Sequence, residues 1–151
     1  MVDHSAVGRR LAPVTARVEP GRLRFFRETL VESNPVYNDD AAAKAAGYAA
    51  TPVPPTYLFC LEMMDAEQPL EFLTALGADL AQLLHGEQRF VYRAPVMVGD
   101  TLLFEPRIAS ITDKKGGAMT LAVVETRVTN QHGVHVADCS RTVVVLNKVA
   151  A

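Results

Sequence analysis

Residues 51–64 read TPVPPTYLFCLEMM, a proline-rich turn followed by a segment that is apolar on almost every side. Proline suits the first turn of a helix, because its fixed φ is already helical and its missing N–H is not needed there. The sequence therefore predicts a helix over residues 56–64. Its polar members are Thr56 and Glu62. Such a helix is typical of a buried position, so other elements must surround it.

After His85 the hydrophobic period changes from that of a helix to two residues, which is the period of a strand. Runs rich in β-branched and aromatic residues alternate with turns that contain glycine. The predicted strands cover residues 88–92, 101–112, 117–129 and 134–146. Long consecutive strands joined by short turns predict an antiparallel meander.

The elements ahead of this meander are mostly helical. We expect one short strand over residues 14–18, then helices over about 20–31, 40–46 and 70–76 in addition to the apolar helix, with a turn at 79–84. Helices gathered before an antiparallel sheet give the α+β class. The prediction is a single domain over residues 14–151, in which a curved sheet of about five strands wraps around the apolar helix. Residues 1–13 are polar and without period, and they predict a flexible N-terminal arm.

The composition excludes several classes of partner. The chain has 15 Lys and Arg against 17 Asp and Glu, a net charge of −2, and 49% hydrophobic residues. This balance favours neither nucleic acid nor an anionic membrane, and no stretch approaches the roughly 20 apolar residues of a spanning helix. We therefore expect a cytoplasmic globule. Cys60 and Cys139 are expected to be reduced core thiols, and His132 and His135 lack a third nearby ligand, so no metal site is predicted.

Three motifs occur in a fixed order. Residues 30–37 read LVESNPVY, residues 47–57 contain GY followed by VPPTY, and residues 85–90 read HGEQRF, with Pro95 and Gly99-Asp100 after them. These motifs resemble the MaoC-like dehydratases, and in particular the N-terminal, fatty-acid-synthase-type dehydratase domain of that family. The resemblance covers about residues 14–147 and implies the hot-dog fold.

The first motif resembles the signature Asp-x-Asn-Pro-x-His of the active enzymes. The resemblance implies that this Asp and His act on the α-proton and the hydroxyl of an acyl thioester. Here Glu32 stands at the Asp position and Tyr37 at the His position, while Asn34 keeps the register. A histidine titrates near pH 6.5 and a tyrosine near 10, so Tyr37 is a poor base at neutral pH.

This departure is similar to the dyad-less subunits of mycobacterial 3-hydroxyacyl-ACP dehydratases, which pair with a subunit that has both residues. The resemblance implies either a heterodimer with a dyad-bearing hot-dog subunit or a homodimer with altered or absent chemistry. An isolated sheet also leaves unpaired edges, which favours a dimer.

The candidate catalytic residues are Glu32, Tyr37 and His85. Each has an ordinary structural alternative, since a proline turn uses carboxylates as caps and a junction histidine hydrogen-bonds to backbone. The candidate substrate-binding residues are Asn34, Pro55, Thr56, Tyr57 and Gly86. Among them, free N–H groups of Thr56 and Tyr57 at a helix start would polarise a thioester carbonyl, as the resemblance also implies.

Glu62 suggests an alternative catalytic function, because an unpaired carboxylate on an apolar helix is costly to bury. Some hot-dog thioesterases activate water with a carboxylate of the central helix, and the resemblance extends that role to Glu62. The neighbouring apolar residues either line an acyl tunnel or form the core; they are Leu58, Phe59, Met63 and Met64. Arg89, Arg93 and Arg107 either meet the phosphates of CoA or are solvated.

Three functions therefore remain open from the sequence. The first is a hydro-lyase component, an (R)-specific enoyl-thioester hydratase or 3-hydroxyacyl-thioester dehydratase acting on acyl-CoA or acyl-ACP in fatty acid metabolism. The second is hydrolysis of acyl-CoA by Glu62. The third is a non-catalytic subunit that binds acyl thioesters. No cofactor is expected beyond the CoA or ACP carrier of the thioester.

Overall fold

A single antiparallel sheet of five strands forms the frame of the molecule, which a computed structural model describes over residues 2–147. The strands are β1 (Val14–Arg17), β2 (Leu83–Tyr92), β3 (Thr101–Lys114), β4 (Met119–Asn130) and β5 (His135–Leu146). Their spatial order is β1-β3-β4-β5-β2, so β3 to β5 form the meander while β1 and β2 are the edges. The predicted α+β class and five-stranded sheet are confirmed.

Five helices accompany the sheet. They are α1 (Pro20–Thr29), α2 (Pro35–Asn38), α3 (Asp40–Ala45), α4 (Tyr57–Asp65) and α5 (Glu71–Leu76). Short 3-10 turns occur at His4–Ala6, Leu80–Gln82 and Lys115–Gly117. The sequence predicted α1, α3, α4 and α5 but only a turn at residues 34–38, where α2 is a single helical turn started by a proline.

The apolar helix α4 packs on the inward face of the sheet. Leu58 and Leu61 are fully buried in the same cluster as Phe104 of β3 and Val128 of β4. The sheet surrounds α4 on one side only, and Met64 on the other side is 53% exposed. The prediction of a central helix is confirmed, whereas the prediction that it is buried on every side is wrong.

The second strand begins five residues earlier than the sequence predicted. Leu83 pairs with Val145 of β5, and the pairing continues to Tyr92 with a bulge between His85 and Glu87. A bulge interrupts the two-residue alternation, because two residues on one strand oppose one on its partner. The early part of β2 therefore does not have the pattern of a strand.

The N-terminal segment, residues 2–13, is packed rather than flexible, which corrects the expectation of a loose arm. Val2, Ala6 and Leu11 are buried in a cluster with residues of α5, β3, β4 and β5. Its backbone also bonds to the sheet, since Leu11 N–H donates to Pro106 O at 2.9 Å. The sequence of this segment shows no hydrophobic period, because single side chains spaced along it pack into the core. Backbone hydrogen bonds between these side chains hold the rest of the segment against the sheet.

Within residues 2–147 no helix has the length and apolar character needed to cross a bilayer. The two cysteines form no disulfide; Cys139 is buried and Cys60 is half-buried. Burial raises the pKa of the Cys139 thiol to about 12, which keeps it protonated at neutral pH.

Candidate functional site

The proline loop that carries the family-like motif is shaped by its own side chains. Val31 has a positive φ of 53°, which is rare for a β-branched residue and reverses the chain after α1. The Glu32 carboxylate then accepts from Asn34 N–H at 2.8 Å. The Asn34 side-chain oxygen accepts from Val36 N–H at 3.1 Å and caps α2. Glu32 and Asn34 are thus engaged in forming the turn.

Tyr37, which follows this turn, lines a cavity of about 340 Å³ together with Tyr48 and Tyr92. We call it the phenol cavity. Tyr37 lies on α2, Tyr48 follows α3, and Tyr92 ends β2. The remaining lining residues are Pro52, Val53, Pro55, Arg93, Ala94, Pro95 and Val96. The loop before α4 is held there because Val53 N–H donates to Val96 O at 2.9 Å.

Tyr37 and Tyr92 of the phenol cavity are suited to donate hydrogen bonds rather than to act as bases. Burial raises the pKa of Tyr37 above its usual value, and the neighbouring Tyr48 and Glu32 add to the shift. Burial also raises the pKa of Tyr92, whose hydroxyl donates to Pro55 O at 2.9 Å. A phenol that stays neutral at pH 7 can donate to a carbonyl oxygen but cannot remove a proton.

The lining of the phenol cavity contains no Asp, Glu or His among the residues that the structure describes. Its one charged lining residue, Arg93, is held by a residue that does not line the cavity, because its Nε donates to Asp138 Oδ2 at 2.6 Å. The cavity therefore has donors that can hold and polarise a carbonyl, but it has no acid–base pair for dehydration.

The start of α4 contributes fewer groups to the phenol cavity than the sequence predicted. Pro55 lines the phenol cavity and Thr56 is exposed beside it. Tyr57, however, is fully buried, and its ring packs against Phe26 with centroids 4.9 Å apart. Its N–H already donates to Pro54 O at 3.0 Å. The expected pair of free N–H groups is therefore wrong for Tyr57.

His85 and Gly86 lie away from the phenol cavity. His85 lies seven positions before Tyr92 on β2, and because one of these positions is the bulge, the two are roughly 20 Å apart along the strand. His85 is exposed, its Nε2 is 3.2 Å from Glu87 O, and its ring stands 5.3 Å from that of Phe59. Gly86 forms the bulge of β2. The structure does not bring either residue together with Tyr37.

Glu62 lines a different cavity, of about 360 Å³, at the other end of α4. Its side chain is buried, and Thr126 Oγ1 donates to its Oε1 at 3.2 Å. Burial raises the pKa of Glu62, while the nearby Arg141 and the Thr126 hydrogen bond act in the opposite direction. Met63 also lines this cavity, whereas Leu58 belongs to the core.

The arginines considered for phosphate binding lie on the outer face of the sheet. Arg93 and Arg107 form ion pairs with Asp138 and Glu125 at 2.6 and 2.7 Å. Arg89 is exposed beside them. Among residues 2–147 no three side chains of His, Cys, Asp or Glu are arranged to hold a metal ion.

Sequence reasoning missed Tyr48, Tyr92 and Arg141. Tyr48 was within a quoted motif, directly after Gly47, but nothing in its spacing linked it to Tyr37. Tyr92 and Arg141 occupy ordinary strand positions. Only the pairing of β2 with β5 and the packing of α4 on the sheet place them at the two cavities.

Residues 5–139 match the family model described as FAS1-like, dehydratase domain region. The chain belongs to this family. A UPF0336 protein of Streptomyces avermitilis is 39% identical over 137 residues, which are 89% of this chain and 89% of that protein.

Solved structures of dehydratases share the fold of this FAS1-like dehydratase domain. The chain matches the C-terminally truncated HadBC (3R-hydroxyacyl-ACP dehydratase) complex of Mycobacterium tuberculosis with a TM-score of 0.78 and 25% identity, covering 92% of this chain and 96% of that one. It matches the MaoC-like dehydratase of Rhodospirillum rubrum with a TM-score of 0.71 and 22% identity, covering 96% and 95%. The expected hot-dog fold and the resemblance to MaoC-like dehydratases are confirmed.

Proposed function

We propose that this chain is the substrate-binding subunit of a 3-hydroxyacyl-thioester dehydratase, which in the reverse direction is an (R)-specific enoyl-thioester hydratase. The phenol cavity carries this proposal, because it offers hydrogen-bond donors without a base. The substrate is an acyl chain on CoA or ACP, and no further cofactor takes part.

The reaction explains what the phenol cavity contributes and what it lacks. Dehydration removes a proton from the carbon next to the thioester carbonyl, so negative charge develops on the carbonyl oxygen. Donation from Tyr37 or Tyr48 would stabilise that charge. A base for the proton and an acid for the departing hydroxyl must come from elsewhere, and a hot-dog partner with an Asp and a His would supply them.

The free edge of the sheet supports a partner subunit. Strand β2 runs over ten residues and pairs only with β5 among the residues described, so its outer N–H and C=O groups are available to another strand. On β2 itself Leu84 is 54% exposed, and on α4 Met64 is 53% exposed. The similar HadBC protein is a complex of hot-dog subunits. We infer a dimer, with a dyad-bearing subunit as the active pairing.

Hydration of crotonyl-CoA, followed by the loss of enoyl-thioester absorbance, tests this assignment. We expect no turnover by the purified chain alone and turnover when a dyad-bearing hot-dog subunit is added. Tyr37→Phe should lower kcat/KM of that complex about tenfold or more, because a hydrogen bond to the charge that develops on the carbonyl oxygen contributes roughly 1.5–3 kcal/mol. Val7→Ala, at an exposed position of the N-terminal segment, is the control and should not change activity. Turnover by the chain alone that disappears in Tyr37→Phe would instead make it a complete enzyme.

Hydrolysis of the thioester by Glu62 is the second candidate. A buried carboxyl with a raised pKa beside a cavity has the properties of a general base. Release of free CoA thiol from acyl-CoA, abolished in Glu62→Gln, would establish it. Binding of acyl-CoA without turnover under any pairing would leave a purely binding subunit.

A further inference from the structure

Three polar side chains lie between α4 and the inward face of the sheet, one from the helix and two from the strands. Glu62 is 5% exposed, and Arg141 of β5 is 7% exposed. Thr126 of β4 donates to the carboxylate of Glu62 at 3.2 Å. Burying two charged groups in the same region is costly unless they are paired and their hydrogen bonds are satisfied.

The guanidinium of Arg141 is not satisfied by protein groups. Among residues 2–147 it forms no ion pair within 4.0 Å. Its Nη1 lies 3.2 Å from the sulfur of Met63, and its Cζ lies 4.8 Å from the centroid of the Phe72 ring. Its Nε is buried and has no hydrogen-bond partner. A thioether and a ring face are weak partners for a buried cation, so the site lacks a strong acceptor.

Glu62 and Arg141 line the same cavity of about 360 Å³, which we call the Glu62–Arg141 cavity. The apolar part of its wall is formed by Leu11, Val14, Met63, Phe72 and Pro106. Ala12 N–H donates to Glu71 Oε2 at 2.8 Å, which fixes the N-terminal segment against α5 beside it. No lining residue is shared with the phenol cavity, which lies at the start of α4, whereas Glu62, Met63 and Asp65 of the second half of α4 line this one.

We propose that the Glu62–Arg141 cavity is a second ligand site, which takes an uncharged molecule with a hydroxyl or carboxamide group on a short apolar body. The oxygen of that group accepts from Arg141, and its hydrogen is donated to Glu62. The apolar body lies against Leu11, Met63 and Phe72.

The charges around the cavity select a neutral ligand. Asp65, Glu67 and Glu71 line it in addition to Glu62, so a carboxylate ligand would add a negative charge to acidic surroundings. An ammonium ligand would be placed next to the buried guanidinium of Arg141. A hydroxyl or a carboxamide satisfies a donor and an acceptor without either penalty.

Four ligands with the same six-carbon body and different end groups test this proposal. Hexanamide, 1-hexanol, hexanoate and hexylammonium are titrated into the ¹⁵N-labelled full chain, and the backbone amide of Ala12 at the cavity wall is followed by NMR. We expect saturable shifts with hexanamide and 1-hexanol. The affinity of hexanamide should fall about tenfold or more in Arg141→Met, because a charge-assisted hydrogen bond is lost while the apolar volume is kept.

Two further variants keep the result interpretable. Glu62→Leu/Arg141→Met removes both buried charges together, and it should also lose hexanamide if Arg141→Met alone proves unstable. Tyr48→Phe alters only the phenol cavity and should bind hexanamide as the wild type does. Tighter binding of hexanoate or hexylammonium, equal binding by the double variant, or no shift of Ala12 with any ligand would overturn the proposal. None of these outcomes depends on the dehydratase assignment.

Discussion

At the scale of single residues, Tyr37 stands where the family-like motif has a histidine, in a turn that Glu32 and Asn34 stabilise. Asn34 and Glu32 form the turn and the helical cap, so Tyr37 is delivered to the phenol cavity. Burial raises the pKa of Tyr37, so its hydroxyl can donate a hydrogen bond but is a poorer base than a histidine. In the proposed function, this position would contribute a hydrogen bond to the substrate, and the acid–base groups would come from the partner subunit.

Glu62 allows a prediction of pH dependence at the residue scale. A carboxyl whose pKa is raised in the folded state holds its proton more tightly there than in the unfolded chain. The free energy of unfolding therefore decreases as pH rises from the ordinary value of 4.5 towards the raised pKa. Arg141 and Cys139 are the titratable groups facing it from β5.

We expect Glu62→Gln to become more stable relative to the wild type as pH rises across that window. Below the window, the difference in the free energy of unfolding between the two proteins should be constant. Urea unfolding of both proteins between pH 4 and 8 measures this difference. The comparison removes the contribution of Asp113 to the pH dependence of stability. The Thr120 hydroxyl lowers the pKa of Asp113, and this effect is the same in both proteins. A difference independent of pH would mean that Glu62 is ionised equally in both states.

At the scale of elements, the bulge in β2 depends on the absence of a side chain at Gly86. A Cβ at this position would lie 3.0 Å from Val144 Cγ2 and 3.3 Å from Thr142 O on the paired strand β5. The lack of a side chain at Gly86 therefore allows β2 and β5 to approach closely. The position of Gly86 does not support the predicted role in substrate binding.

Gly86→Ala should lower the free energy of unfolding by about 1–3 kcal/mol, because the added methyl group overpacks the strand pair. The midpoint of urea unfolding measures it. The cost should shrink in a Val144→Ala background, where the contact is relieved. Gly21→Ala in α1 is the matched control, since nothing lies within 4 Å of its added Cβ. A Gly86→Ala protein as stable as the wild type would contradict this account of the bulge.

At the scale of the whole molecule, the N-terminal segment completes the second half of the core. The cluster around α5 contains Val2, Ala6 and Leu11 together with Ile108 and Val124 of the sheet. The segment also forms the wall of the Glu62–Arg141 cavity through Leu11. Removing it would expose both the core and the cavity.

Leu11→Ala should destabilise the protein by about 2–5 kcal/mol, as expected for a buried leucine. Val7→Ala in the same segment is the control, because Val7 is 48% exposed, and it should change the stability by less than about 0.5 kcal/mol. Equal effects of the two substitutions in urea unfolding would mean that the segment contributes nothing to the core.

The sequence by itself determined the class and order of the elements. The runs with a two-residue period and their glycine turns predicted β3, β4 and β5, and the apolar stretch after Pro55 predicted α4. These features are local, because periodicity and turn chemistry act within a few residues. The motif around Asn34 was local as well, and it predicted the exchange of the histidine for Tyr37.

Only the tertiary structure decided which side chains meet. Tyr37, Tyr48 and Tyr92 come from three separate parts of the chain, and their convergence depends on how the loop before α4 pairs with residues 96–98. Glu62 and Arg141 face one cavity because α4 packs on the inward face of the sheet, and His85 lies away from the phenol cavity because it is seven positions before Tyr92 on β2. Such contacts join residues far apart in sequence, and no local pattern records them.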